Sequence, residues 1–425
     1  MGDGRPRALK IAIFAHALLR VASSAGGVVV GVWLAALSRQ GLPIHANLVG
    51  ALAASAFGAE LVSSVPLGVA ADAVSVRWLM SAGALVGALA MLLFGLTGLI
   101  PVLFLSRLLE GVAMAAVTPP LLRYLARSTA RDAVRRARMM SWFELSLLAG
   151  LALGGLVGTQ LWARQQRGAF DSLALLYGLS ALLLLFSALH AVGQGRQAAL
   201  RGLRRALGDP LVRKLAPVWL CVNAIIGLWL GPTLSFVLTG RPVSDQYLDG
   251  IFATAPTDVG WLLLGYTVVF GTGVAVWGGL LPKTGVRRAM RVSLWAMVAV
   301  CAALALLNHS TSWPAWSRGV LGAVAALLIM IESGFGPAAL MWLAQSLGLE
   351  AGVGAAMGIY SMLLSLGALA GSLLAGWAAT LWRVDGLLLV TVLLAACALL
   401  FLSRMSASEV PPNQLLGLES DHGNP

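Results

Sequence analysis

The chain has 425 residues, 59% of them hydrophobic and only 11% charged, with a mean hydropathy of +0.87. So few charges cannot cover a soluble globule of this size, and disorder, collagen and coiled coil fall to the same arithmetic. What remains is a polytopic membrane protein, so the net charge of +12 is read as a topology signal and not as a nucleic-acid footprint.

A membrane-spanning helix needs roughly 20 apolar residues. Twelve such runs follow one another at 10–38, 47–71, 78–98, 101–124, 139–162, 171–193, 215–238, 259–282, 290–308, 319–345, 355–382 and 385–403. They are continuous Leu/Ala/Gly/Val stretches and lack the alternation of membrane strands, so the expected fold class is an all-α membrane protein. The opening MGDGRPRALK leads straight into the first run without a small-residue cleavage site, which predicts a retained first helix. Cys221, Cys301 and Cys397 sit inside apolar runs, without CxxC spacing or histidine neighbours, and are read as packing residues. Neither a metal nor a cofactor is expected.

The distribution of Lys and Arg sets the orientation. With the amino terminus in the cytoplasm, inside segments hold 21 basic residues and outside segments hold six: Arg39, Arg164, Arg167, Arg241, Arg318 and Arg383. Both termini are therefore expected inside. The predicted organisation is an amino-terminal six-helix bundle over 1–193, a basic cytoplasmic linker over 194–214, a carboxyl-terminal six-helix bundle over 215–404, and a disordered cytoplasmic tail over 405–425. The expected setting is the inner (plasma) membrane of a bacterium, with the chain a monomer in the lipid bilayer.

The two halves carry a weak internal repeat. After the second run stands Gly68-Val-Ala70-Ala-Asp72-Ala-Val-Ser-Val-Arg77, and after the eighth Gly278-Gly-Leu280-Leu-Pro282-Lys283-Thr-Gly285-Val-Arg287. The fifth run holds Gly150, Gly154 and Gly158, and the eleventh holds Gly367 and Gly371. Glycines spaced by four make a small-residue face that lets membrane helices approach closely. These residues resemble the major facilitator superfamily. Its loop signature, Gly-x-Leu-x-Asp-Arg-x-Gly-Arg-Arg, is matched by Gly68, Asp72 and Arg77, and in the second copy by Gly278, Leu280, Lys283, Gly285 and Arg287. Ala70, Ala73, Ser75 and Val76 depart from it, and Pro282 replaces the second acid. Its fourth-helix signature, Arg-x-x-Gln-Gly-x-Gly-Ala-Ala, is matched by Arg107, Gly111 and Ala115, with Glu110 for glutamine. Its antiporter signature in the fifth helix, Gly-x-x-x-Gly-Pro-x-x-Gly-Gly, meets Gly150, Gly154 and Gly158, with Gly155 for proline and Thr159 for the last glycine. The resemblance covers all but the tails. It implies the twelve-helix fold, alternating access, and a conformational latch at Gly68, Asp72, Arg77, Gly278, Lys283 and Arg287. It also implies that the glycine-rich fifth and eleventh helices pack where the halves meet.

Charges inside a bilayer are expensive and are functional hypotheses by default. His16, Arg20, Glu60, Arg107, Glu110 and Glu332 lie within runs, and Glu144 lies nearer the inner surface. Arg20 is about 15 Å into the first helix, at a rise of ~1.5 Å per residue. Arg107 and Glu110 are three apart and can meet on one face. The resemblance implies a central cavity lined by the first, fourth, seventh and tenth helices, so Arg20, Arg107 and Glu332 are expected to converge on it and give it a cationic and an acidic wall, suited to an anionic or zwitterionic group. Glu60, Glu144 and Glu332, with Glu110 if it is free of Arg107, are the candidate proton carriers. Two readings of Arg20 and Glu60 stand: mutual neutralisation between the first two helices, or handling of substrate and proton.

No phosphate-binding Gly-x-x-x-x-Gly-Lys-Ser/Thr segment occurs, so ATP drive is unsupported, and no HExxH or Gly-x-Ser-x-Gly marks an enzyme. The expected function is secondary transport of a small organic solute by alternating access, coupled to protons and directed outward. A flippase for a lipid-like amphiphile and a non-transporting membrane assembly factor are the alternatives.

Overall fold

The computed structural model describes residues 5–128, 133–187, 210–346 and 353–405. Most of the basic linker, 194–209, and the tail beyond 405 lie outside the described residues. Helices run in chain order as α1 (Arg5–Arg39), α2 (Ala46–Ala73), α3 (Val76–Leu96), α4 (Ile100–Ser128), α5 (Ala133–Gln165), α6 (Ala169–Phe186), α7 (Pro210–Trp229), α8 (Pro232–Leu238), α9 (Thr257–Thr284), α10 (Val286–Asn308), α11 (Ala315–Glu332), α12 (Phe335–Ser346) and α13 (Val353–Ser403). Among the described residues the only extended pairing is an isolated Val243–Gln246 bridge.

Among the described residues, nine segments are long and apolar enough to cross a membrane, or ten if the bent pair α7–α8 is one crossing. Two of the nine, Leu145–Phe186 and Met362–Ser403, are each 42 residues long. At ~1.5 Å per residue that is about 63 Å, enough for two bilayer crossings. Each is interrupted midway: the first at Gln166 (φ 50°), the second at Trp382 (φ −135°) and Arg383 (φ 54°). Counted as two crossings apiece, and with the α7–α8 pair counted as one, they bring the total among the described residues to twelve, consistent with the twelve apolar runs.

Two crossings are broken where a single helix was expected. Between α7 and α8 the chain bends by 43°. Pro232 cannot donate into the preceding turn, and it holds Gly231 extended (φ −87°, ψ 173°). Between α11 and α12 the break falls at Ser333–Gly334. The freed carbonyl of Ile331 accepts from Trp277 Nε1 (3.0 Å) and Ser293 Oγ (3.1 Å). Such side-chain donors are what make a broken helix tolerable at membrane depth.

Within the first six crossings, α1 packs on α5 and α6, α3 on α4 and α6, and α2 on α4. Within the last six, α7 packs along α13, and α10 on α11 and α13. The two sets meet through α2 with α13, α5 with α9, and α1 with α8. The first set is closed by Trp33, Phe94 and Phe170, with the last two rings stacked 5.4 Å apart. A second cluster gathers Trp219, Trp277, Leu294 and Trp342. Outward-facing Leu96, Leu175, Leu327 and Trp316 are exposed, an apolar girdle suited to lipid.

Candidate functional site

Close helix approach comes first, because it brings polar side chains in the middle of the first set within reach of one another. A Cβ on Gly150 would meet Arg20 Cβ at 2.6 Å, one on Gly154 would meet Ser24 Cβ at 2.5 Å, and one on Gly158 the Ala25 carbonyl at 2.8 Å. On α4, Gly111 lies against Ala56 and Ala59 of α2 in the same way.

At this level His16 is fully buried, with both ring nitrogens engaged: Nδ1 with Ser146 Oγ at 2.8 Å and Nε2 with Thr118 Oγ1 at 3.2 Å. Ser146 gives its own proton to the Phe143 carbonyl at 2.6 Å. The ring therefore donates from Nδ1, and in the neutral tautomer Nε2 accepts from the Thr118 hydroxyl. Phe143 stacks on it at 4.8 Å. His16 thus ties α1, α4 and α5 together without a charge.

Arg107 and Glu110 do meet, as their spacing predicts. They form a short ion pair, and both are buried. Ser23 Oγ donates to Glu110 Oε1 at 2.9 Å, and Arg107 Nε donates to the Leu52 carbonyl at 3.4 Å. The pair therefore joins α4 to α1 and α2. Arg107 does not open onto a cavity wall as expected, because its charge is already spent on its own helix neighbour.

Arg20 and Glu60 differ in kind. Both are half-buried, and Glu60 lies within electrostatic range of Arg20 and Glu110. Among the described residues, neither side chain makes a hydrogen bond or an ion pair. They are charges at mid-depth, close enough to feel each other and not locked together. Glu332 is a third such group. It is half-buried and stands beside the α11–α12 break, and its ionisable neighbours are Tyr266 of α9 and Cys301 of α10. Among the described residues, no hydrogen bond or ion pair joins it to Arg20, Glu60 or Arg107. The side chains of Glu144 and Asp72 lie outside the described residues.

The glycine faces are displaced from where they were expected. Gly150, Gly154 and Gly158 press on α1 inside the first set, and Gly367 and Gly371 press on Asn223 and Ala224 of α7 inside the second. The contacts between sets use the neighbouring helix face: Gly155 against Leu263, Thr159 against Gly260, and Gly376 against Asn47 and Gly50. Residues one position on in a helix are turned by about 100°, so a single step moves from the internal to the inter-set face.

Of the latch residues, a Cβ added at Gly68 or Gly278 would meet nothing within 4 Å among the described residues. Gly285 caps α9 with φ 78°, a conformation that glycine adopts without strain. Arg77 lies 5.8 Å from the Trp78 ring centroid. Lys283 is exposed. Arg287 donates to the carbonyls of Leu402, Ser403 and Met405, closing the carboxyl end of α13 where a cation is favoured.

Ser23, Thr118 and Ser146 were not foreseen. Hydroxyls in apolar runs are common, and nothing in their spacing names a partner on another helix. No group of three or more His, Cys, Asp or Glu among the described residues is placed to hold a metal.

A family model described as Major Facilitator Superfamily matches residues 13–244 and 241–419. No curated protein matches the chain. Among solved structures, the chain is similar to the nucleoside transporter NupG, with 13% identity over 93% of this chain and 97% of that one, at a TM-score of 0.69. It is similar also to a bacterial homologue of the human lysosomal transporter Spinster in an inward-facing, unoccupied conformation. That match has 12% identity over 95% of this chain and 96% of the other, at a TM-score of 0.70.

Proposed function

The chain belongs to the major facilitator superfamily, a family of membrane transporters and not of enzymes, and on that premise we propose that it exports a small organic solute in exchange for protons. One observation carries the reading: among the described residues, Arg20 and Glu60 stand at mid-depth without side-chain hydrogen bonds, beside an Arg107–Glu110 pair that is fully engaged. An intramembrane charge with no structural partner is costly to keep unless something transient compensates it. Arg20 is suited to an anionic or zwitterionic substrate group, and Glu60 to a proton. Glu332 beside a broken helix has the position that transporters use for coupling ions. The outward direction rests on the antiporter-like glycine run of α5. Placement in a bacterial inner membrane with both termini inside rests on the charge bias.

Ligand-dependent melting of the purified protein tests the substrate half of this reading. A panel of small organic anions, zwitterions and nucleosides at pH 5.5 and pH 7.5 is expected to contain a compound that raises the wild-type melting temperature. A site filled to about 100 times its Kd adds ~2.7 kcal/mol. The shift should vanish in Arg20→Ala while the unliganded melting temperature stays in place. A shift that survives intact in Arg20→Ala would remove Arg20 from the binding site.

A further inference from the structure

At the end of the molecule that carries the 239–256 segment, the first set of helices meets the second through two arginines. α1 ends at Arg39, and α8 ends at Leu238 with Thr239 as its cap. The last carbonyls of a helix have no partner within it and attract cations. Arg39 Nη1 donates across to the Thr239 carbonyl at 2.9 Å and to that of Ala253. Arg241 Nη2 donates back to the carbonyls of Ser38 (3.4 Å) and Arg39 (3.2 Å). Each arginine caps the other's helix. Close packing surrounds the exchange. Ser235 Oγ donates to the Val28 carbonyl at 3.2 Å, a Cβ on Gly31 would meet the Pro232 carbonyl at 2.2 Å, and the Asn47 amide donates to Thr380 Oγ1 at 2.9 Å.

Acidic side chains at this end tie the 239–256 segment to the second set. Arg383, at the break midway along α13, donates to Asp249 Oδ2 at 2.5 Å. Asp385 accepts from Asn308 Nδ2 at 2.8 Å and Gln246 Nε2 at 3.3 Å, and lies 3.0 Å from His309 Nε2. The Tyr247 amide donates to the Asn308 carbonyl at 2.7 Å. Burial pushes the Asp249 carboxyl up to about 6 against the opposing pull of Arg383. These acids anchor the segment, and none of them reaches α1.

We propose that Arg39 and Arg241 form a reciprocal clasp that shuts this end of the transport path, and that breaking it exposes the mid-depth charges to that side of the membrane. The chemistry suits a gate. Both donors are arginines and every acceptor is a neutral carbonyl, so opening strands no buried carboxylate. The released guanidinium groups move into water, and the acid-anchored segment travels with the second set. The two halves of the clasp are about 200 positions apart in sequence and share no motif, so pattern reading cannot find them.

Spin labels on Gln40 and Ser244, both exposed and on opposite sides of the clasp, report its state in a background with Cys221, Cys301 and Cys397, all free thiols, replaced by serine. The parent should give a single short distance. Arg39→Ala/Arg241→Ala should add a population longer by roughly one helical turn, ~5 Å or more. Each single variant should show part of that shift, and Arg39→Lys, which keeps a charged donor, less than Arg39→Ala. A parent-like distance distribution in both alanine single variants would overturn the clasp, even if the double variant fails to fold.

Discussion

Glu60→Gln will fold and will exchange substrate across the bilayer, but will no longer build a substrate gradient from a proton gradient. The substitution keeps the side-chain volume and removes only the ionisable group. Glu60 makes no side-chain hydrogen bond among the described residues, so no helix contact is lost with the charge. Uphill transport in proteoliposomes should therefore fall to the level of protein-free vesicles, while exchange at equal pH on both sides persists. Glu332→Gln is the companion experiment, because Glu332 is a second half-buried acid inside an apolar run and lies in the second set. If one variant uncouples and the other does not, the proton route is assigned. Full coupling in both would remove the two acids from it.

Arg107→Leu and Glu110→Leu, made singly, will each cost about 3–5 kcal/mol, and the double variant will cost less than either. Both groups are buried and face each other, with Ser23 and the Leu52 carbonyl as supporting partners. Removing one leaves the other as an uncompensated charge in a low dielectric. Removing both leaves only one hydroxyl and one carbonyl short of a partner, a loss of about 1 kcal/mol each. Chemical unfolding in mixed micelles, compared across the four proteins, gives the coupling energy directly. Additive single-site losses, or singles below ~1 kcal/mol, would show that this pair is not the fastening described.

What was legible in the sequence was whatever depends on composition and local spacing. The twelve apolar runs need only hydropathy and helical rise, and the Arg107–Glu110 contact follows from residues three apart on one helix. The breaks at Gly231–Pro232 and Ser333–Gly334 were not read. Proline and glycine are ordinary in membrane helices, and it is Trp277 and Ser293 on other helices that make the second break stable. The glycines of α5 press on α1 and those of α13 press on α7, not across the two sets, since on α5 one residue's rotation separates the face toward α1 from the face toward α9. The Arg20–Glu60 relation lay between the two readings: near enough to interact, too far apart to pair. The Arg39–Arg241 clasp was invisible because its acceptors are backbone carbonyls, which every sequence has and none advertises.

The central claim is that one mid-depth site is reached from each side of the membrane in turn. Glu60→Cys in the cysteine-free background tests it, since exchange is expected to survive loss of the carboxylate. A membrane-impermeant thiol reagent should modify position 60 when added to either face, and Arg39→Ala/Arg241→Ala should speed only the reaction from the clasped face. Modification from a single face, whatever the state of the clasp, would contradict the account.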